Sequence, residues 1–249
     1  MNTIDEINTK SLADAALYWV LAHNLRIVPC FWTEGGVCVC FRAEKCDRPG
    51  KHPRADHGHL EASTDLQAIT QHWAEFPAAN IAMPCRLNNR VVIDIDPKNG
   101  GIESIIKLEE KIGPLVSPWT FVSGSGGGHR HFVDPGGALL GTLADYPGID
   151  FKCEGFVVMP SSVHVSGGTY RVADGSNLSQ PVPPMPEALL ALLRKPESNG
   201  TTAAVVGEWS GGAEPDLLRA AALTANFAPA TGVRDDFYAA LAGGLGAHH

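Results

Sequence analysis

Apolar residues recur along the chain with two different periods. Over 11–24, Ala15, Leu17, Tyr18, Leu21 and Ala22 fall three or four apart. They predict a helix with Ser11 as its N-cap. Over 65–76, Leu66, Ile69, Trp73 and Phe76 share one helical face, Ser63 or Thr64 can cap the start, and Pro77 stops it. A third helix is expected over 101–111, ended by Gly113-Pro114, and a short one over 187–194. Strand-like runs of β-branched and aromatic residues lie between them, at 25–30, 80–83, 91–96, 119–123 and 129–133. A strand, turn and strand follow over 146–164, then a further turn and strand over 167–172. Residues 195–214 have linker composition, and 215–249 read as an Ala-rich helical tail with too little apolar content for its own core. The expected organisation is one domain over 11–194, the linker, and a tail that starts a further domain.

At 249 residues, 44% of them hydrophobic, the chain can bury a sizeable core. No apolar run reaches the ~20 residues of a membrane helix. The first residues are acidic and polar, without a secretory pattern, so a cytoplasmic setting is expected, in a microbe or an infected host cell. There, the six cysteines are expected as thiols or metal ligands rather than disulfides. The net charge of −8 is the wrong sign for a bulk nucleic-acid binder, though a local basic patch can suffice.

The strand at 91–96 ends in Asp94-Ile95-Asp96. On a strand, residues two apart point to the same face. Two carboxylates together on an apolar strand are costly without a counter-cation. Mg²⁺ or Mn²⁺ resolves that cost, with phosphate oxygens completing the ligand set. The alternative is that one Asp ends the strand and the other caps the turn at 97–101.

Cys38, Cys40, Cys46 and His52 lie within fifteen residues of Gly, Pro and charge. A segment so poor in apolar residues can be folded by Zn²⁺ on three thiolates and one imidazole, with His57 and His59 as spare ligands. The alternative is a loop of unliganded thiols. Cys30, Cys85 and Cys153 sit in apolar surroundings and read as buried small hydrophobes. Arg42, Lys45, Arg48, Lys51 and Arg54 make 42–54 the most basic local patch. It can face a nucleic-acid backbone or offset anionic thiolates.

Residues 123–131, Ser-Gly-Ser-Gly-Gly-Gly-His-Arg-His, bring small side chains and accessible amides ahead of a strand on which His129 and His131 share a face. This is not a P-loop, because the Gly-Lys-Ser/Thr ending is missing. It suits a triphosphate, or it is a flexible hairpin. Asp150 stands in an apolar strand where a lone carboxylate needs a partner.

Taken in order, these residues resemble the bifunctional primase/polymerase (Prim-Pol) domain of the archaeo-eukaryotic primase superfamily. The resemblance covers Gly50-Lys51-His52-Pro53, His57-Gly58-His59-Leu60, the Trp73 helix, Asn80-Ile81-Ala82, Asp94/Asp96, 123–129, Gly148-Ile149-Asp150, 155–164 and Gly168-Thr169-Tyr170. The cysteine cluster is similar to the zinc insertion of phage and plasmid members. Two departures stand out: one proline (Pro160) precedes Ser161-Ser162 where the family usually has two, and His131 stands where an aromatic residue is common.

The resemblance implies an α+β fold, an RRM-like mixed sheet with flanking helices, and a small zinc-binding loop over 38–52. It implies a DNA primase/polymerase that transfers nucleotides from NTPs or dNTPs on single-stranded DNA and starts primers from scratch. Asp94, Asp96 and Asp150 would hold two Mg²⁺ or Mn²⁺ ions, with His129 as the fourth catalytic residue. Ser123, Ser125, Gly126, Gly127, Gly128, Lys152, Ser161, Ser162 and His164 are the expected nucleotide contacts, with Arg130 a weaker one because it alternates away from His129. A helicase domain or partner is the expected associate. Two other readings are a replication-initiation module that binds nucleic acid with little or no catalysis, and a metal-dependent nuclease or glycosyltransferase. The latter accounts for Asp94 and Asp96 but leaves the glycine loop and Asp150 unexplained.

Overall fold

The computed structural model describes residues 3–194. The expected linker and helical tail lie outside the described residues. No helix among the described residues is long and apolar enough to cross a membrane.

The chain opens with α1 (Ile4–Asn8), which the apolar pattern does not announce. Thr3 and Glu6 form a reciprocal capping box at its start, satisfying two otherwise orphaned amides. Helix α2 (Leu12–His23) is capped by Ser11, as expected, and ends at Asn24 in the left-handed conformation. Strand β1 (Val28–Cys30) is shorter than the predicted run, because Ile27 bonds with Ser63 instead of continuing the ladder. A two-stranded hairpin follows, β2 (Thr33–Glu34) with β3 (Val37–Cys38). Helix α3 (Leu66–Glu75) is capped by Asp65, whose carboxylate accepts from Gln67 and Ala68. Ser63 is one step removed: its hydroxyl accepts the Asp65 amide and fixes the cap itself.

The remaining elements are β4 (Asn80–Pro84), β5 (Arg90–Ile95), α4 (Gly101–Ile112), β6 (Thr120–Val122), β7 (Gly128–Val133), β8 (Ile149–Lys152), β9 (Phe156–Val158), β10 (Arg171–Val172) and α5 (Glu187–Leu193). They build an α+β fold. One sheet has the order β1-β4-β9 and a larger one β10-β6-β7-β5-β8. Within the larger sheet, β8-β5-β7-β6 with α4 between β5 and β6 is the RRM-like arrangement. Its ladders are all antiparallel, and the parallel contact among the described residues is the single bridge Val133–Pro184. The strand, turn and strand expected over 146–164 are present as β8 and β9, and they enter different sheets: β8 the larger and β9 the smaller.

Strand β5 is shared by two cores. Val91, Ile93 and Ile95 point into one cluster with Leu108, Phe132, Phe151, Leu189 and Leu193, which includes residues of α4 and α5. Val92 points to the other face, in a cluster with Trp19, Trp73, Met83 and Phe121. Val91, Val92 and Ile93 are fully buried, and each such burial is worth about 1.5–3 kcal/mol. That anchorage offsets the cost of carrying a carboxylate, Asp94, one step further along the strand.

Candidate functional site

Asp94 sits in the middle of a row that crosses the larger sheet. Its register partner on β7 is His129 and its partner on β8 is Asp150. Acids directly opposite each other on neighbouring strands repel. Lys152, two residues after Asp150 and on the same face, relieves this. Its Nζ is 2.6 Å from Asp150 and 3.9 Å from Asp94. His129 Nε2 lies 3.4 Å from the other Asp94 oxygen. Burial pushes the Asp94 pKa up, but His129, Lys152 and Lys51 outweigh it and hold the carboxyl below its ordinary range. Asp94 is therefore an anion at neutral pH.

Asp96 takes the turn-capping role weighed for it. It caps the turn at Pro97–Asn99, accepting from the Lys98 amide at 3.0 Å and the Asn99 side chain at 2.6 Å. It also lines the same cavity as Asp94, His129, Asp150 and Lys152, a space of about 690 Å³. The carboxylates of Asp94, Asp96 and Asp150 offer oxygen donors, the ligand type that hard divalent cations take.

The glycine loop is a tight turn joining β6 to β7. Gly126 donates to the Ser123 carbonyl and Gly127 to the Ser123 hydroxyl, both at 2.9 Å. Their amides are therefore committed inside the turn. Ser123 and Ser125, whose hydroxyls are 3.0 Å apart, line the cavity, whereas Gly126, Gly127 and Gly128 shape the loop that presents them. Gly124 crosses Gly168 backbone to backbone, and a Cβ on Gly124 would stand 2.5 Å from the Gly168 carbonyl oxygen. Gly124→Ala is expected to cost about 1–3 kcal/mol through this overpacking. Thermal unfolding of the variant against wild type checks it.

The segment after β9 splits its expected roles. Ser162 is fully buried and its hydroxyl accepts the Ile81 amide at 2.9 Å, so it ties this turn to β4. Ser161 has φ +74° and its hydroxyl donates to the Ile7 carbonyl at 3.4 Å. His164 Nδ1 pairs with the Ser166 hydroxyl at 2.8 Å. Burial and the Lys51 and Lys98 charges push its pKa down, with Asp96 opposing them. None of these three side chains lines the cavity. Arg130 points to the opposite face and pairs with Glu109 at 2.7 Å, while His131 is wholly buried against Phe121.

Lys51 and Arg48 line the cavity too, forty residues and more before Asp94 in sequence. Sequence reading noted both in a basic patch, and Lys51 also within the Gly50-Lys51-His52-Pro53 motif, without placing either at the acids. Tyr170 is the other addition: its ring lies 6.1 Å from that of His129, and burial drives its hydroxyl pKa up.

The donor atoms of Cys38, Cys40, Cys46 and His52 all lie within 4.8 Å of one another. His52 Nε2 is 3.4 Å from the Cys38 sulfur and 3.5 Å from that of Cys46. A tetrahedral zinc with Zn–S of ~2.3 Å and Zn–N of ~2.0–2.1 Å needs S···N edges of about 3.5 Å. The cluster could therefore hold zinc. Burial raises the Cys46 thiol pKa to about 11, and the neighbouring Cys38 and Cys40 thiols add to this. A divalent cation reverses that preference. Burial and the Arg42 and Arg48 charges lower the His52 pKa, against Asp47, which keeps the imidazole in the neutral form a metal needs. His57 is turned away to Glu61, 2.7 Å from it. Cys30, Cys85 and Cys153 are buried.

No curated protein matches the chain. Residues 17–188 match the family model described as bifunctional DNA primase/polymerase, N-terminal, which spans β1 to β10, the acid row and the cysteine cluster. A match over more than half of the 249 residues decides the matter: the chain belongs to the bifunctional DNA primase/polymerase family.

Proposed function

We propose that the chain carries out template-directed nucleotidyl transfer on single-stranded DNA and starts primers without a pre-existing 3′ end. The observation behind this reading is the row His129–Asp94–Asp150 across three adjacent strands, with Asp96 in the same cavity. Asp94, Asp96 and Asp150 would hold two Mg²⁺ or Mn²⁺ ions. When bound, the ions supply the Lewis acidity that activates the 3′-hydroxyl and neutralises charge on the leaving pyrophosphate. The chain's own groups do the rest. His129, buried and with Nε2 directed at Asp94, steadies that carboxylate. Lys152 spans Asp94 and Asp150. Ser123 and Ser125 offer hydroxyls at the cavity wall. The catalytic unit on this reading is 11–194, with a structural zinc on 38–52.

The test is formation of labelled dinucleotides and longer products on a single-stranded DNA template, with Mg²⁺ and Mn²⁺ in parallel. Template-dependent products support the proposal. DNA binding without products in either metal would favour the initiation-module reading instead.

A further inference from the structure

The cavity has an acidic floor made by Asp94, Asp96 and Asp150. Lys152 lies against Asp150 and Asp94, His129 against Asp94, and Asp96 accepts from the Lys98 backbone amide and the Asn99 side chain. Arg48 and Lys51 also line it, yet among the described residues neither forms an ion pair with a carboxylate. Lys51 is half-buried and lies in the field of Asp94 and Asp96 on one side and of Lys98 and Lys152 on the other.

What fixes these two residues is the cysteine segment. Both sit between Cys46 and His52, two members of the candidate zinc cluster. The Lys51 amide donates to the Arg48 carbonyl at 3.0 Å and closes a turn. The Gly50 carbonyl accepts from the buried Asn80 side chain at 3.0 Å, and the His52 carbonyl accepts from Phe31 at 3.0 Å. The segment is thus pinned to the rest of the protein on one side and to the Cys/His cluster on the other, with the two cations held at the cavity between the pins.

We propose that Lys51, assisted by Arg48, binds the phosphate tail of the incoming nucleoside triphosphate, and that the Cys38–Cys40–Cys46–His52 cluster is the clamp that holds both at the cavity. This rests on the reading of the cavity as a nucleotidyl-transfer site. It gives the cysteine segment a task in substrate affinity beyond its own folding.

Equilibrium binding of ATP, dATP and AMP by titration calorimetry in Mg²⁺ tests it. Lys51→Ala is expected to weaken triphosphate binding about tenfold, the loss of one charge-assisted hydrogen bond, and to leave AMP binding nearly unchanged. Lys51→Arg restores most of the affinity. Lys45→Ala, exposed on the same segment and outside the cavity, binds as wild type does. Removing zinc with a chelator, followed by metal analysis, weakens wild type at least to the level of Lys51→Ala, because the Arg48 contact is released with that of Lys51. Unchanged triphosphate affinity in Lys51→Ala would overturn the assignment, and unchanged affinity after zinc removal would overturn the clamp. A wild-type protein with no preference for ATP or dATP over AMP would instead overturn the nucleotidyl-transfer reading beneath it.

Discussion

Asp94→Asn is expected to lower primer synthesis by on the order of 10³-fold or more while the protein stays folded. A metal ion in this chemistry supplies several kcal/mol of transition-state stabilisation, and each ~1.4 kcal/mol is a factor of ten in rate. Asp94 is the central member of the row, the acid that shares the sheet face with both His129 and Asp150. The amide keeps the shape but loses the charge, so either ion would be held by fewer anionic ligands. Stability has other sources: Val91, Val92 and Ile93 remain buried, and Lys152 keeps Asp150 at 2.6 Å. A thermal midpoint within about 5 °C of wild type is expected, since ~1 kcal/mol moves a domain of this size by about 2–4 °C. The measurement is single-turnover dinucleotide synthesis beside a thermal melt. A variant as active as wild type would remove Asp94 from the site.

Purified, reduced protein is expected to carry about one zinc per chain, and Cys46→Ser is expected to lose it. The apparent binding energy of structural zinc in small peptides is ~10–16 kcal/mol at neutral pH. The segment has little else to hold it: the hairpin β2–β3 has two residues per strand, and Phe41 beside the cluster is 93% exposed. Without the ion, protease is expected to cut within 38–54 first, at arginines and lysines that the loaded protein protects. Elemental analysis and limited trypsin digestion report the two outcomes. A reduced, freshly purified sample without zinc would rule the cluster out as a metal site.

Periodicity located the helices α2, α3 and α4 and the strand β5, but it misplaced the buried face of α2: Leu21 and Ala22 of the expected stripe are exposed, while Ala16, Trp19 and Val20 are buried. It missed α1, whose signal is local: the Thr3-x-x-Glu6 capping box was present, but five residues are too few for an apolar stripe. It found the strand, turn and strand of 146–164 but did not say which strands they pair with. Which sheet a strand enters depends on partners distant in sequence, and β9 pairs with β4 while β8 pairs with β5. The acids were legible as Asp94-x-Asp96 and as an isolated Asp150, whose meeting across the sheet the register now makes explicit. Of the two readings weighed for Asp96, the turn cap is the one the hydrogen bonds show. The glycine loop was read as a row of free amides, and its internal hydrogen bonds were not visible in composition. Lys51 and Arg48 could not be assigned from spacing, because the path that brings them to the cavity runs through the cluster formed by Cys38, Cys40, Cys46 and His52.

Strand β5 carries a consequence for the order in which the molecule comes apart. Its odd-numbered residues belong to one core and Val92 to the other, so neither half can loosen without releasing it. Core strands of this kind open only at a cost near that of global unfolding, whereas loops held by few apolar contacts open far more cheaply. Backbone amides at 91–95 should therefore be among the last to exchange with deuterated water, and those at 42–51 among the first once the metal is gone. The carboxylates are mounted on the most persistent part of the protein and the cations on a part that can let go.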